Sequence, residues 1–227
     1  VHSREDYFAL VRERPELFHN PPGAGYTILL DEEGIRRAEV HMEQQLEAEG
    51  GSPEWARVGV AFRDQYAMIV RDAVRFPDGS LGTYIRFVSV YPGVVGVVAL
   101  PIWRRQVLLI RHFRHATRSW HLEIPRGFGS GTDSSESARR ELAEEIGAEV
   151  SRLVALGEVH PDSGADASRV ALYLAEVESY GDAELQEGIT EIIPTAIPEL
   201  EGMIASGELE DGFLLMAYAR AKARGLL

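Results

Sequence analysis

Three glutamates crowd the run Arg139-Arg140-Glu141-Leu142-Ala143-Glu144-Glu145-Ile146-Gly147. On a helix, Glu144 and Glu145 follow Glu141 by three and four positions, so the three carboxylates share a face. They repel one another. Near the C-terminal end of a helix they also meet the negative end of its dipole. A hard divalent cation relieves both costs, and carboxylate oxygen is its preferred ligand. Arg140 is placed to neutralise part of the cluster through paired hydrogen bonds. The plain alternative is a solvated amphipathic helix, since glutamate is a good helix former. The stretch just upstream tilts the reading toward chemistry. Gly127, Gly129 and Gly131 can bring backbone N–H groups close to an anion near the positive end of the helix. The stretch lacks the lysine and hydroxyl of a P-loop.

Asp133 is a suitable N-cap, and Glu136 sits three residues later as in a capping box. Ala138, Leu142 and Ile146 form an apolar stripe, and Gly147 ends the helix. Upstream, Val94 to Leu100 and Gln106 to Ile110 read as paired strands, and Trp120 to Ile124 leads into Pro125 and the glycines. Downstream, 150–159 and 170–177 are extended, 181–188 is a polar loop, and helices close the chain over 198–205 and 211–224. The N-terminal part reads as helices over 4–13 and 35–49 around a short strand at 26–30. An extended stretch over 58–74 follows, and Pro77-Asp78-Gly79-Ser80 turns it into a hairpin with 83–88. Residues 50–56 and 161–168 are expected to be loops. The order predicts a mixed α/β core and not a regular βαβ series.

The 227 residues carry no cysteine, which excludes disulfides and thiolate metal sites. No stretch of about 20 apolar residues offers a membrane span. Val1 to Asp6 is polar and lacks the apolar core of a signal peptide, so the expected location is cytoplasmic. A net charge of −13 argues against a nucleic-acid surface. It leaves room for a small anionic ligand, because a bound divalent ion reverses the local field. The basic residues gather in one region: Arg104, Arg105, Arg111, Arg114, Arg118 and Arg126, with His112, His115 and His121.

The stretch from Gly127 to Ala148 resembles the signature of the Nudix hydrolases, through Arg140, Glu141, Leu142, Glu144, Glu145 and Gly147 at matching spacing. Glu123-Ile124-Pro125-Arg126-Gly127 looks like the Glu-Leu-Pro-Ala-Gly lead-in of the ADP-ribose pyrophosphatase branch. Val107 to Arg114 looks like its preceding strand and basic turn, and Gly207 to Gly212 is similar to its C-terminal helix junction. Two departures stand out. The signature's first glutamate falls on Thr132, and the loop from Gly127 is one residue shorter than usual. The resemblance covers roughly residues 57–225. It implies a Nudix-like α/β/α sandwich with a mixed sheet over 57–225, preceded by a mostly helical extension over 1–56, with the β-hairpin region included in the domain.

The resemblance implies metal-dependent cleavage of a diphosphate linked to a nucleoside, with ADP-ribose split into AMP and ribose 5-phosphate. Glu141, Glu144 and Glu145 would hold Mg²⁺ or Mn²⁺, with Glu145 and Arg140 also counted as catalytic. Substrate contacts would come from Arg111, Arg114, Glu123, Gly127 and Gly164, the last in Pro161-Asp162-Ser163-Gly164-Ala165. The general base would come from the loop after the helix, at Glu184 or Glu187. Trp120, Phe128, Tyr84 and Phe87 are the rings available to stack on a base. A homodimer is expected, as is common in that branch. The alternative is a noncatalytic nucleotide-binding or regulatory module on the same fold.

Overall fold

A computed structural model describes residues 3–129, 133–183 and 188–227. The chain forms two compact units. The first holds the residues up to Pro92 with Asp162–Ala167, and the second holds Gly93–Pro161 and Ser168–Leu227.

The first unit opens with α1 (Arg4–Glu13), capped by Ser3, whose hydroxyl accepts from the Asp6 N–H at 3.1 Å. Then come β1 (Thr27–Leu29) and α2 (Glu32–Ala48), where Asp31 accepts from the Gly34 N–H at 2.7 Å. Three strands follow: β2 (Gly59–Arg63), β3 (Met68–Arg75) and β4 (Leu81–Val88). Strand β3 is antiparallel to β1, β2 and β4. The expected turn joins β3 to β4, with Gly79 at φ +86. Residues 57–92 were grouped with the downstream domain in the sequence reading, whereas the compact unit runs on to Pro92. The reason is long-range. The α2 residues Ile35 and Ala38 share one core with Val70, Ala73 and Val88, and no local pattern reveals that packing.

A buried ion pair ties this unit together. Asp72 is 2% exposed and accepts from the Tyr7 hydroxyl at 2.7 Å and from Arg86 Nη2 at 3.2 Å. Arg86 also donates to the Leu17 carbonyl at 2.7 Å. Burial and the adjoining Asp72 push the Tyr7 phenol far above its ordinary value. The edge of β4 is covered by 165–167: the Phe87 N–H donates to the Ala165 carbonyl at 2.7 Å and the Ala167 N–H to the Phe87 carbonyl at 3.1 Å.

The second unit contains β5 (Gly96–Trp103), β6 (Gln106–Arg114), β7 (Ser119–Glu123), β8 (Arg126–Gly127) and α3 (Ser134–Ile146). It continues with β9 (Glu149–Val159), β10 (Val170–Ser179), β11 (Ile189–Ala196), α4 (Ile197–Ser206) and α5 (Gly212–Ala223). The sheet runs β11-β6-β5-β10-β9, with β7 on β6 and β8 on β5. It is mixed, because β10 and β5 are parallel while the other pairs are antiparallel. Side-chain alternation divides the core. Val97, Ala99, Leu108 and Ile110 pack with Ala138, Leu142 and Ile146 of α3. Val98, Leu100, Val107 and Leu109 pack with Leu200 of α4 and Leu214 of α5. This is the expected α/β/α sandwich. Strand β11 was not foreseen; among the described residues it pairs with β6 alone, and an outer strand tolerates its Pro194. Among the described residues, no helix is long and apolar enough to cross a membrane.

Asp72→Ala should lower the unfolding free energy by about 3 kcal/mol, because it leaves the Arg86 charge without its carboxylate partner. Tyr7→Phe should cost about 1 kcal/mol, one buried hydrogen bond. Urea titrations test both, and a loss under about 1 kcal/mol for Asp72→Ala would mean that water already serves Arg86.

Candidate active site

Helix α3 is bounded as the sequence suggests. Asp133 Oδ1 accepts from the Ser135 N–H at 2.8 Å and the Glu136 N–H at 3.3 Å. Its bond from the Ser135 hydroxyl, with these N–H groups, holds the Asp133 carboxyl below the usual range. Gly147 adopts φ +60 and closes the helix, its N–H donating to the Ala143 carbonyl at 3.0 Å. The three glutamates therefore occupy the last two turns.

They do not share one solvated face. Glu145 is 2% exposed, whereas the side chains of Glu141 and Glu144 are 13% and 56% exposed. At about 100° per residue, position 145 lies between Glu141 and the apolar stripe. Glu145 is accordingly buried beside Ala138, Leu142 and Ile146. A carboxylate in that setting has lost most of its water and requires a compensating positive charge or hydrogen bonds.

Glu141 folds back onto β8. A Cβ added at Gly127 would lie 2.0 Å from Glu141 Oε2, so the carboxylate occupies the space a side chain would take. Gly129 is similar: its added Cβ would lie 2.4 Å from the Val95 carbonyl oxygen. Neither glycine is among those with positive φ. Their role is close approach, and at Gly127 the approaching group is the Glu141 carboxylate. Arg140 spans the cluster, with Nη2 donating to Glu141 Oε1 at 2.8 Å and to the Phe128 carbonyl at 3.3 Å, and Nε 3.6 Å from Glu144 Oε2. The bond to Glu141 holds the guanidinium above its ordinary pKa.

Next to this lies a chain of charges. Arg114 grips Glu123 in a fork, Nε at 2.9 Å and Nη2 at 2.6 Å from Oε2. Glu123 is 1% exposed and also meets Arg126 Nη2 at 3.1 Å. Arg126 Nη1 donates to Asp211 Oδ2 at 2.7 Å. Burial pushes the Asp211 carboxyl up, against the opposing pull of Arg126 and the Leu214 N–H. Arg114 and Glu123, both expected to meet substrate, are thus engaged with each other. Sequence reasoning placed Arg126 in the basic cluster but missed Asp211 and the link between the two. A signal existed, since Arg126 stands where the resembling lead-in has alanine, and Asp211 is a good N-cap for α5.

Other expected residues fall elsewhere. Arg111 projects on the face of Val107 and Leu109, away from α3, and its guanidinium stacks over Trp120 at 5.4 Å. It lines a cavity with Leu122, Glu191 and Glu208. It is therefore not brought to the acidic helix. Gly164 belongs to the first unit, where its carbonyl accepts from the Tyr84 hydroxyl at 2.7 Å. Tyr84 and Tyr26 meet edge-on at 5.8 Å in a cavity of about 340 Å³ within that unit. Phe128 is 78% exposed. Thr132, Gly131, Glu184 and Glu187 lie outside the described residues.

The donor chemistry suits a hard divalent ion. Glu141 and Glu145 are oxygen donors on adjacent helical turns, and the side-chain-free surface of Gly127 cradles the first of them. Among the described residues, no group of three acidic or histidine side chains is gathered closely enough to hold a metal. Arg140, between Glu141 and Glu144, accounts for part of that spacing.

Residues 92–197 match the NUDIX domain family. Over that stretch the chain is similar to NUDIX domains. The match opens at Pro92, one residue before the second unit begins, and it ends at the first residue of α4. A crystal structure of an ADP compounds hydrolase shares the fold, with a TM-score of 0.61 at 20% identity over 75% of this chain and 95% of that one. No curated protein sequence matches the chain. Within the matched residues the helix that carries Glu141, Glu144 and Glu145 is α3, and the three sit at different depths.

Gly127→Ala is expected to fold, with an unfolding free energy within about 1 kcal/mol of the wild type, because the flexible Glu141 side chain can swing clear of the new methyl group. Chemical denaturation measures this. A loss of about 3 kcal/mol would show that the carboxylate is locked in place.

Proposed function

We propose that this NUDIX-like domain hydrolyses the diphosphate of a nucleoside diphosphate-linked compound, with ADP-ribose cleaved to AMP and ribose 5-phosphate. The observation that carries the reading is the paired seating of Glu141 against Gly127 and of Glu145 in the core margin, on the signature helix. The solved structure that shares the fold is an ADP compounds hydrolase, in keeping with this choice of substrate. Water adds to one phosphorus, the bridging P–O bond breaks, and the second phosphate departs.

Glu141 and Glu145 would hold Mg²⁺ or Mn²⁺, with Glu144 as the outer, more exposed ligand. When bound, the ion would neutralise diphosphate charge and acidify a water. The chain's own residues do the positioning. Gly127 leaves room for Glu141, and Arg140 neutralises part of the charge of Glu141 and Glu144. Arg114, fixed by Glu123, presents the remaining edge of its guanidinium at the end of β6. The proton acceptor is assigned to Glu184 or Glu187. In support, the next residue, Gly188, is anchored at the end of β6, its carbonyl accepting from the Phe113 N–H at 3.0 Å. A noncatalytic nucleotide-binding module is the second reading. It is favoured by Arg140 filling the space between two of the glutamates and by Thr132 at the signature's first glutamate position.

The functional unit is further proposed to be a homodimer, in keeping with the exposed Tyr84, Ile85 and Phe87 on β4. Light scattering should then report about twice the 25.1 kDa of one chain, and a single-chain mass at assay concentration rejects the dimer.

Glu145→Gln and Glu141→Gln should each lower turnover of ADP-ribose by about 100-fold with the fold intact, in the range for disturbed metal sites. Glu144→Gln should lose less, because its carboxylate is already in water. Gly127→Ala should match Glu141→Gln. Near-normal turnover in Glu141→Gln and Glu145→Gln removes α3 as the hydrolytic centre.

A further inference from the structure

Strand β8 is two residues long and, among the described residues, pairs with Val97 and Val98 of β5 alone. It nevertheless carries Gly127, the seat of the Glu141 carboxylate. Two ladder positions are a slender support for a surface that must hold a charged side chain in register. The second attachment is Arg126. Successive side chains of a strand point to opposite faces, so Arg126 projects away from Glu141.

There Arg126 meets two carboxylates from distant parts of the unit. Nη1 donates to Asp211 Oδ2 at 2.7 Å, and Nη2 lies 3.1 Å from Glu123 Oε2. Its guanidinium also lies over the Phe213 ring at 5.0 Å. Asp211 divides its oxygens between two tasks. Oδ1 accepts from the Leu214 N–H at 2.8 Å and starts α5, while Oδ2 holds Arg126. Glu123 in turn is fixed by Arg114. Helix α5, through Asp211, and strand β7, through Glu123, thus both hold β8 at Arg126.

We propose that Arg126 and Asp211 are positioning residues that set how firmly Glu141 is held for metal. The inference rests on α3 being the metal-binding helix of the hydrolase. Neither residue touches the ion or the substrate. Asp211 acts through Arg126, and Arg126 acts through the backbone of Gly127. Arginine is required because only its fork reaches both carboxylates at once.

The test is Mn²⁺ binding to the full chain, without substrate, in wild type, Arg126→Lys and Asp211→Asn. Asparagine caps helices as well as aspartate does, so Asp211→Asn removes the grip on Arg126 while keeping the start of α5. Both variants should bind Mn²⁺ about 10-fold more weakly, as losses of outer partners do. Amide exchange at Gly127 in the metal-free protein should quicken in both, while the amides of α5 stay protected. The maximal rate at saturating Mn²⁺ should stay within about 2-fold, since a general loosening of the fold would lower it. Variants that bind Mn²⁺ as the wild type does overturn the positioning role, whatever the exchange shows. Unchanged exchange at Gly127 overturns the clamp itself. A wild type that binds no Mn²⁺ is a different outcome: it overturns the metal reading of α3, and the positioning role with it.

Discussion

The contact between the Glu141 carboxylate and the bare Cα of Gly127 is the constraint on which the site depends. It joins the signature helix to the two-residue strand before it, and a side chain at position 127 would displace the carboxylate. Everything nearby serves it. Asp133 and Gly147 fix where α3 starts and stops, which decides how far along the helix Glu141 sits. Leu142 and Ile146 press the helix onto the sheet, which brings the carboxylate down to β8. The same docking buries Glu145, so the chain accepts an electrostatic cost at the end of a helix whose dipole is already unfavourable there. In the proposed function a divalent ion would offset this cost.

Charged groups are buried in each unit, and in each they link short elements. In the first, Asp72 collects Tyr7 from α1 and Arg86 from β4. In the second, Arg114, Glu123, Arg126 and Asp211 run from β6 through β7 and β8 to α5. Such pairs add little stability compared with apolar packing of equal volume. Their value here is geometric. Strands of five and two residues, β7 and β8, hold few ladder bonds, and the fork geometry of arginine supplies direction that those bonds lack.

Much of this was legible in the sequence. The Asp133 cap, the Gly147 stop, the Pro77–Ser80 turn and the paired runs around Arg104-Arg105 all announce themselves locally, because caps and turns are set by neighbours in sequence. The signature glutamates were legible as residues, but their depth was not. Position 145 lies at the margin of the apolar stripe, and only the docking of α3 decides whether it is wet. The faces of β6 were hidden for a related reason. Its residues 107–110 are apolar on both sides, so alternation alone does not say whether Arg111 or Arg114 turns toward α3. The role of Gly127 needed the position of Glu141, and the link from Arg126 to Asp211 spans 85 residues. Each of these depends on long-range packing, which no local spacing encodes.

The central claim is that α3 is the metal-dependent hydrolytic centre of a NUDIX-like domain. Its most direct test is product analysis. The purified chain is incubated with ADP-ribose, other ADP-sugars and dinucleotides, with Mg²⁺ or Mn²⁺ and then with excess chelator. The account predicts that AMP and ribose 5-phosphate form from ADP-ribose with metal and cease to form when the metal is removed. Intact compounds throughout, with nucleotide still bound by the protein, would contradict it and leave a binding module in its place.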